Sequence, residues 1–340
     1  MAGDGFWSGV RTGSRRRGGG PSSTRRMYRR RRLAAVVIVA VAVSLVGFGA
    51  RQIVALASGT SASSRHSGPS LRAGTPRQRP TSEPGGGRSL FPSHRLVAFY
   101  GAPGLPSLGV LGDAPPEQMW SKVVSAAVPY ASPSTTVVPS YELIAFTAEA
   151  APEASGDYTL RLSDAQIADY LEVVRSHGGM LILDIQPGLS SFVDDAKTLA
   201  PWLSQPDVGL ALDPEWELSP GQRPGQVVGR TTGTEINQIA TWLQQVTTAH
   251  HLAQKLLLIH QFNPDMVQDK SVVTPQPDLA MTFNMDGFGK PNDKTSVYNL
   301  LAADTRWHLG YKLFYQRDTP VQTPTDVLKL VPPPDVVEYG

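Results

Sequence analysis

Cysteine is absent from all 340 residues. That excludes disulfides, a zinc–thiolate site, a cysteine nucleophile and a lipid-modified cysteine. Nucleotide signatures are missing too. No G-x-x-x-x-G-K-[ST] occurs, and Gly101-Ala102-Pro103-Gly104 lacks the third glycine of a dinucleotide fingerprint and leads into a Pro- and Gly-rich loop. There is no G-x-S-x-G nucleophile elbow. The absence of H-x-H and H-E-x-x-H spacings disfavours a metal-dependent hydrolase, and no cofactor is implied. Basic residues are scarce where the chain is globular. From His94 onward 15 Lys+Arg stand against 27 Asp+Glu, a net of −12. The formal charge of +2 and the pI near 8.8 are set by the N-terminus, where residues 1–32 carry ten arginines against the single acid Asp4. An acidic body argues against nucleic acid as a partner.

Residues 1–32 have almost nothing apolar to bury and read as a disordered tail. Leu33 to Ala50 is an uncharged run of eighteen residues, at the lower end of what spans a bilayer. Arg29 to Arg32 directly precede it. The positive-inside rule then keeps the N-terminus cytoplasmic and sends the C-terminus outside, as a single-pass plasma-membrane protein. Ala55-Leu56-Ala57 fits a signal-peptidase site, and cleavage after Ala57 would make the domain secreted. The long basic region and the long apolar run favour an uncleaved anchor. The arginines read as a topology signal that also attracts anionic lipid. Residues 51–93, rich in Ser, Gly, Pro and Arg, read as a linker with a reach of roughly 35–40 Å. That places the domain from 94 to 340 near the membrane surface.

From Arg95 the pattern becomes apolar runs alternating with helical segments. The runs are Leu96–Tyr100, Tyr141–Thr147, Met180–Ile185, Val208–Leu212, Lys255–Gln261, Leu279–Met285, Leu309–Tyr315 and Asp335–Tyr339. Ser163 and Gln166 form a capping-box pattern before Ile167, Leu171 and Val174, and Gly178-Gly179 closes that helix. Thr232 and Glu235 repeat the pattern before Ile236, Ile239, Ala240 and Leu243. Shorter helices are predicted over Pro115–Ala127, Ser190–Leu203, Asn292–Ala303 and Pro324–Leu330. Eight strands interleaved with helices over about 245 residues predict an α/β fold, a single (β/α)8 TIM-barrel-like domain. A doubly wound open sheet is the alternative.

In such a barrel the site lies at the C-terminal strand ends, so polar residues there carry the functional information. They are Tyr100, Glu149, Asp184 with Gln186, Asp213 with Glu215, His260 with Gln261, Asn284 with Asp286, and Lys312, Tyr315 and Asp318. Val208–Leu212 stops abruptly in Asp213-Pro214-Glu215-Trp216. Strand alternation predicts that the two carboxylates share a face. Hydrolysis of a glycosidic bond needs two carboxyls in different protonation states, and repulsion between neighbours raises the pKa of the more buried one. A helix N-cap or an ion pair with Lys312 is the plainer role for this pair. Asp184 and Asp286 suit substrate hydroxyls or, equally, caps and turns. His260 suits either a satisfied barrel position or the site. Asp184, Asp213, Glu215, His260 and Asp286 together could also hold a divalent metal, although the spacing gives no such signature. Trp216, Phe262, Phe288 and Tyr315 suit stacking on sugar rings. The Pro- and Gly-bearing loop Glu217–Thr231 could wall a cleft.

The ordered series Tyr100-Gly101-Ala102-Pro103-Gly104, Leu183–Gly188, Leu212–Trp216, His260-Gln261-Phe262, Asp286–Gly289 and Lys312–Tyr315 resembles a group of secreted or membrane-anchored actinobacterial proteins, with no activity attached. The D-x-E at the end of strand four is similar to that of TIM-barrel glycoside hydrolases, including lysozyme-type muramidases. That resemblance implies Glu215 as the acid and Asp213 as the assisting carboxylate. The expectation is a membrane-tethered, extracytoplasmic glycoside hydrolase-like domain for a polysaccharide or cell-wall glycan. Asp184, Gln186, His260, Gln261, Asp286, Trp216, Tyr100, Lys312 and Tyr315 would contact substrate. A non-catalytic glycan-binding or envelope-scaffolding barrel is the alternative. Nothing in the sequence speaks to oligomeric state.

Overall fold

The computed structural model describes residues 82–340. The basic tail, the apolar run at 33–50 and most of the linker lie outside the described residues. Among those described, no helix is long and apolar enough to cross a membrane.

Eight parallel strands form the core: β1 (His94–Gly101), β2 (Thr136–Ala148), β3 (Met180–Ile185), β4 (Val208–Leu212), β5 (Lys255–His260), β6 (Leu279–Met285), β7 (His308–Leu313) and β8 (Val336–Tyr339). Each pairs with the next in parallel, and β1 pairs with both β2 and β8. The sheet therefore closes on itself. A doubly wound sheet has two free edges and is excluded; the architecture is the predicted (β/α)8 barrel. The strands read as unbroken apolar runs because each is buried on both faces, one by the barrel interior and one by helices.

Helices α1 (Pro116–Ala127), α2 (Asp164–Ser176), α3 (Phe192–Thr198), α4 (Ala200–Leu203), α5 (Gly233–Ala249), α6 (Pro291–Ala302) and α7 (Pro324–Leu328) follow the strands. At α2 the capping box forms as the sequence indicates: Ser163 accepts from the Gln166 N–H and Gln166 accepts from the Ser163 N–H. At α5 only half of it forms. Thr232 accepts from the Glu235 N–H, but the Glu235 carboxylate takes the Thr231 hydroxyl at 3.0 Å. The segment predicted as one helix over 190–203 breaks at Leu199, because Pro201 has no N–H to donate and its ring crowds the preceding turn.

Alternate residues of every strand point into the barrel, and the interior has two zones. The N-terminal half holds Leu96, Ala98, Met180, Ile182, Ala211, Leu256, Leu258, Ala280 and Val336 in one apolar cluster. Leu90 and Phe91 belong to the same cluster, so packed structure extends into the last residues of the expected linker. Two residues further along each strand the interior turns polar. Tyr100 pairs with Glu142, His260 with Asn284 and Lys312 with Glu338, all of them buried. Gly310 on β7 makes room for this zone; a Cβ there would collide with the Asn284 side chain.

Candidate active site

A cleft of about 620 Å³ opens at the C-terminal end of the barrel. Tyr100, Gln186, Asp213, Glu215, Trp216, Asp286, Lys312 and Tyr315 all line it. These eight sequence-selected residues therefore share one void. Asp184 and His260 lie just beneath its floor, fully buried. Gln261 does not reach it. Its amide donates to the Asn263 and Pro264 carbonyls and accepts from Lys270 Nζ at 2.8 Å, which fixes the turn after β5. Glu149 is buried outside the cleft lining. Asp318 ties the β7 loop together, pairing with Lys294 and accepting the Gly289 and Phe314 N–H groups.

The strand-alternation argument for Asp213 and Glu215 fails in detail, although its outcome stands. β4 ends at Leu212, and Pro214–Trp216 forms a 3₁₀ turn with Asp213 as its N-cap. Proline sets the helical φ at the first position of that turn. Glu215 reaches the cleft from the turn, not from the strand. The loop that follows packs back on it: the Gly229 N–H donates to the Glu215 carbonyl at 2.6 Å, and Gln226 to Arg230 line the cleft wall. This is the wall expected of segment 217–231. Phe262, Phe288 and Phe314 add aromatic surface, and Tyr315 stacks on Tyr339 with centroids 5.1 Å apart while remaining exposed.

Two acids of the site were not singled out in the sequence, Glu142 on β2 and Glu338 on β8. Both are completely buried. Glu142 lies in the middle of β2, and Glu338 is the penultimate residue of β8, level with Lys312 on β7. The available signal was a charge inside a run that must be buried on both faces.

Hydrogen bonds link floor and interior. Gln186 Nε2 donates to the Tyr100 hydroxyl at 3.0 Å, and that hydroxyl donates to Asp184 Oδ2 at 3.4 Å. Gln186 Oε1 accepts the Ala148 N–H. His260 turns Nε2 toward Glu142 at 2.7 Å and Nδ1 toward Asp286 at 3.1 Å. Lys312 Nζ lies 3.4 Å from Asp286, 4.0 Å from Glu338 and 3.2 Å over the Tyr100 ring. Asp184 Oδ1 and Asp213 Oδ1 are buried without a donor.

This places the floor acids in opposite charge states. Burial opposes the charge of Asp286, but Lys312 and His260 outweigh it and hold that carboxyl below the ordinary range. Burial, reinforced by Glu215, pushes Asp213 well up. Burial followed by Asp286 raises Glu215 to about 7. Asp184 is likewise raised by burial to about 7. For His260, burial and Lys312 disfavour the cation, and Asp286, Glu142 and Glu338 overcome them. Lys312 is held charged by Asp286 and Glu338 against the cost of burial. One cleft thus carries a protonated carboxyl, an ionised carboxylate and a carboxyl poised near neutrality, the pattern acid–base chemistry needs.

Glu142, Asp184 and His260 offer ligand atoms within 4.8 Å of one another, close enough for a metal ion. Both imidazole nitrogens, however, already face carboxylates. That is the arrangement of an imidazolium; a metal-bound imidazole keeps one nitrogen for the ion. The Lys312 ammonium supplies a second cation. The donor set fits internal ion pairing and not a bound metal.

No family model and no curated protein matches the chain. Among solved structures, Cel5A of Thermotoga maritima, determined in complex with cellobiose, aligns with a TM-score of 0.38 and 8% identity over 72% of this chain and 88% of that one. The barrel assignment rests on strand pairing and not on this similarity.

Proposed function

We propose that this domain is a glycoside hydrolase that cleaves a polysaccharide or cell-wall glycan by carboxylate acid–base chemistry. The observation that carries the proposal is the pairing, on one cleft floor, of Glu215 raised to about 7 with Asp286 held ionised by Lys312 and His260. Glu215 gives its proton to the leaving oxygen, and Asp286 supplies the negative charge that attacks the anomeric carbon or activates water. The D-x-E resemblance implied Asp213 as the assisting carboxylate. Burial and the neighbouring Glu215 charge keep Asp213 protonated, so that role passes to Asp286 and Asp213 becomes a donor to the substrate. The cleft volume suits several sugar rings, and Trp216, Phe262, Phe288 and Tyr315 offer faces for them. The uncharged run at 33–50 behind Arg29–Arg32 supports an uncleaved anchor that holds the domain outside the cytoplasmic membrane.

A screen of full-length protein against polysaccharides and peptidoglycan, scored by released reducing ends, tests this. Glu215→Gln should lower hydrolysis at least about 100-fold, the range for removal of a general acid. Unchanged hydrolysis in that variant would refute the assignment. Saccharide binding that persists in both forms with no product release would favour the non-catalytic reading.

A further inference from the structure

Arginine sets the cleft walls apart from the rest of the domain. From Arg95 onward the chain carries seven arginines. Arg161, Arg175 and Arg306 are ion-paired with Asp164, Asp207 and Asp304, and Arg95 donates to the Pro334 and Tyr130 carbonyls. Among the described residues, Arg223, Arg230 and Arg317 form no ion pair, and all three are exposed. Two of these, Arg230 and Arg317, line the cleft. The other cations of the lining are taken up: Lys294 pairs with Asp318, and Lys312 with Asp286. From His94 onward 27 Asp+Glu stand against 15 Lys+Arg, yet no acid of the domain has claimed these two guanidiniums. Asp113, Asp265 and Asp293 also line the cleft; Asp265 and Asp293 are engaged in contacts of their own, and none of the three pairs with Arg230 or Arg317.

Both arginines stand on fixed supports. Arg230 follows Gly229, whose N–H donates to the Glu215 carbonyl at 2.6 Å, and its own N–H donates to the Glu217 carbonyl at 3.0 Å. A Cβ at Gly229 would collide with both carbonyls, so the loop lies flat against the Glu215 turn. Beyond it Thr231-Thr232 pairs in parallel with Val267-Gln268. Arg230 therefore leaves a seam that is pinned on both sides, next to the proposed acid. Arg317 rises from the loop after β7. Its N–H donates to the Phe314 carbonyl at 3.2 Å, and its neighbour Asp318 is held by Lys294 and by the Gly289 and Phe314 N–H groups. The Arg317 guanidinium lies over the Phe288 ring, 5.4 Å from its centroid. A ring face holds a guanidinium without using its in-plane N–H groups, which stay available as a fork for an oxyanion. The concave wall strengthens the field of both charges toward the space between them.

We propose that the glycan taken by this cleft is acidic, and that Arg230 on the β4 wall and Arg317 on the β7 wall bind a carboxylate or other oxyanion on it. This names the substrate class for the hydrolase proposed above and rests on that reading. The two arginines are binding residues; the proton transfer stays with Glu215.

The anion site is tested first without hydrolysis. Full-length protein with ¹⁵N-labelled arginine is titrated by NMR with glucuronate, glucose 6-phosphate and glucose, and Arg230→Gln and Arg317→Gln assign the two Nε–H signals. At least one of the two anions should shift both signals saturably, and the tighter of them shows whether a carboxylate or a phosphate is the group recognised. Glucose should shift neither. Arg223, exposed and outside the cleft lining, is the internal control and should not move. Each glutamine variant should weaken the anion at least ten-fold. Arg317→Lys, which keeps the charge without the fork, should recover only part of that loss. Because both side chains are exposed, these variants should fold as wild type does. If neither anion moves the two signals, if glucose moves them equally, or if Arg223 responds alongside them, the proposal is overturned.

A hydrolysed glycan provides the second arm. An acidic oligosaccharide should exceed its carboxyl-reduced counterpart at least ten-fold in kcat/KM, chiefly through KM, and Arg230→Gln with Arg317→Gln should abolish that preference. Hydrolysis indifferent to the acidic group would overturn the anion site and leave the hydrolase standing. Anion binding at both arginines with no glycan hydrolysed would support the site and count against the hydrolase.

Discussion

The two halves of the barrel interior are built from the same strands and differ in almost every physical respect. In the N-terminal half, aliphatic side chains from successive strands close into one cluster beneath Leu90 and Phe91. Further along, the same strands and the residue after β4 deliver Glu142, Asp184, Asp213, His260, Asn284, Lys312 and Glu338, all of them buried, beneath and along the cleft floor. The lower half is stabilised by apolar area removed from water. The upper half bears the cost of buried charge, offset by pairing, and what that provides is a set of carboxyls in different charge states at one pH. Stability and chemistry occupy opposite ends of one core.

The contrast can be broken from the top first. Lys312→Met removes the ammonium beside Asp286 and Glu338. It should cost about 3–5 kcal/mol at pH 7, the range for an uncompensated buried charge. Urea denaturation should show the deficit shrinking as pH falls and the orphaned carboxyls take up protons. A truncation in the lower half, Leu258→Ala, should cost about 2–5 kcal/mol through the cavity it leaves. That cost should not vary with pH. Equal pH dependence in the two variants would dissolve the distinction between the halves.

Asp184→Asn sharpens the comparison with the opposite sign. The folded-state pKa of Asp184 is raised from 3.8 to about 7, so folding favours its proton. Its charge therefore weakens the fold progressively as pH rises between those values and leaves stability unaffected below them. The asparagine variant should match wild type near pH 4 and exceed it by of order 4 kcal/mol at pH 8, measured by chemical denaturation. A variant less stable at pH 8 than wild type would show Asp184 to be ionised and paired.

Most of this division was legible in the sequence. Eight apolar runs and the capping residues Ser163 and Thr232 pointed to a parallel α/β fold, because a parallel strand buried on both faces leaves an unbroken apolar signature, and the pairing of the first strand with the last decides for the barrel. The cleft residues at strand ends were legible for the same reason: polarity there interrupts an otherwise apolar run. Glu142 and Glu338 were missed because their partners lie more than 50 residues away in sequence. Glu142 meets His260 across 118 positions and Glu338 meets Asn284 across 54. The ion pairs of Asp286 were equally hidden, since only the fold shows that it, and not Asp213, sits beside Lys312 and His260. Gln261, read as the end of the run Lys255–Gln261, falls just past the end of β5, where its amide holds the following turn instead of facing the cleft.

The smallest effect lies at the rim. Tyr315 is 45% exposed and stacks only on Tyr339. Tyr315→Ala should leave stability within about 0.5 kcal/mol. It should weaken oligosaccharide binding about ten-fold, equivalent to about 1.4 kcal/mol of lost stacking, as read by calorimetry on a hydrolysed or bound glycan.

The most direct test is a ¹³C NMR titration of the side-chain carboxyls, with Glu215→Gln and Asp286→Asn to assign the two signals. The expected result is an Asp286 that stays ionised to the lowest pH at which the fold persists and a Glu215 that titrates at about 7. Both carboxyls titrating together near pH 4 would contradict the assignment of opposite charge states to the cleft floor.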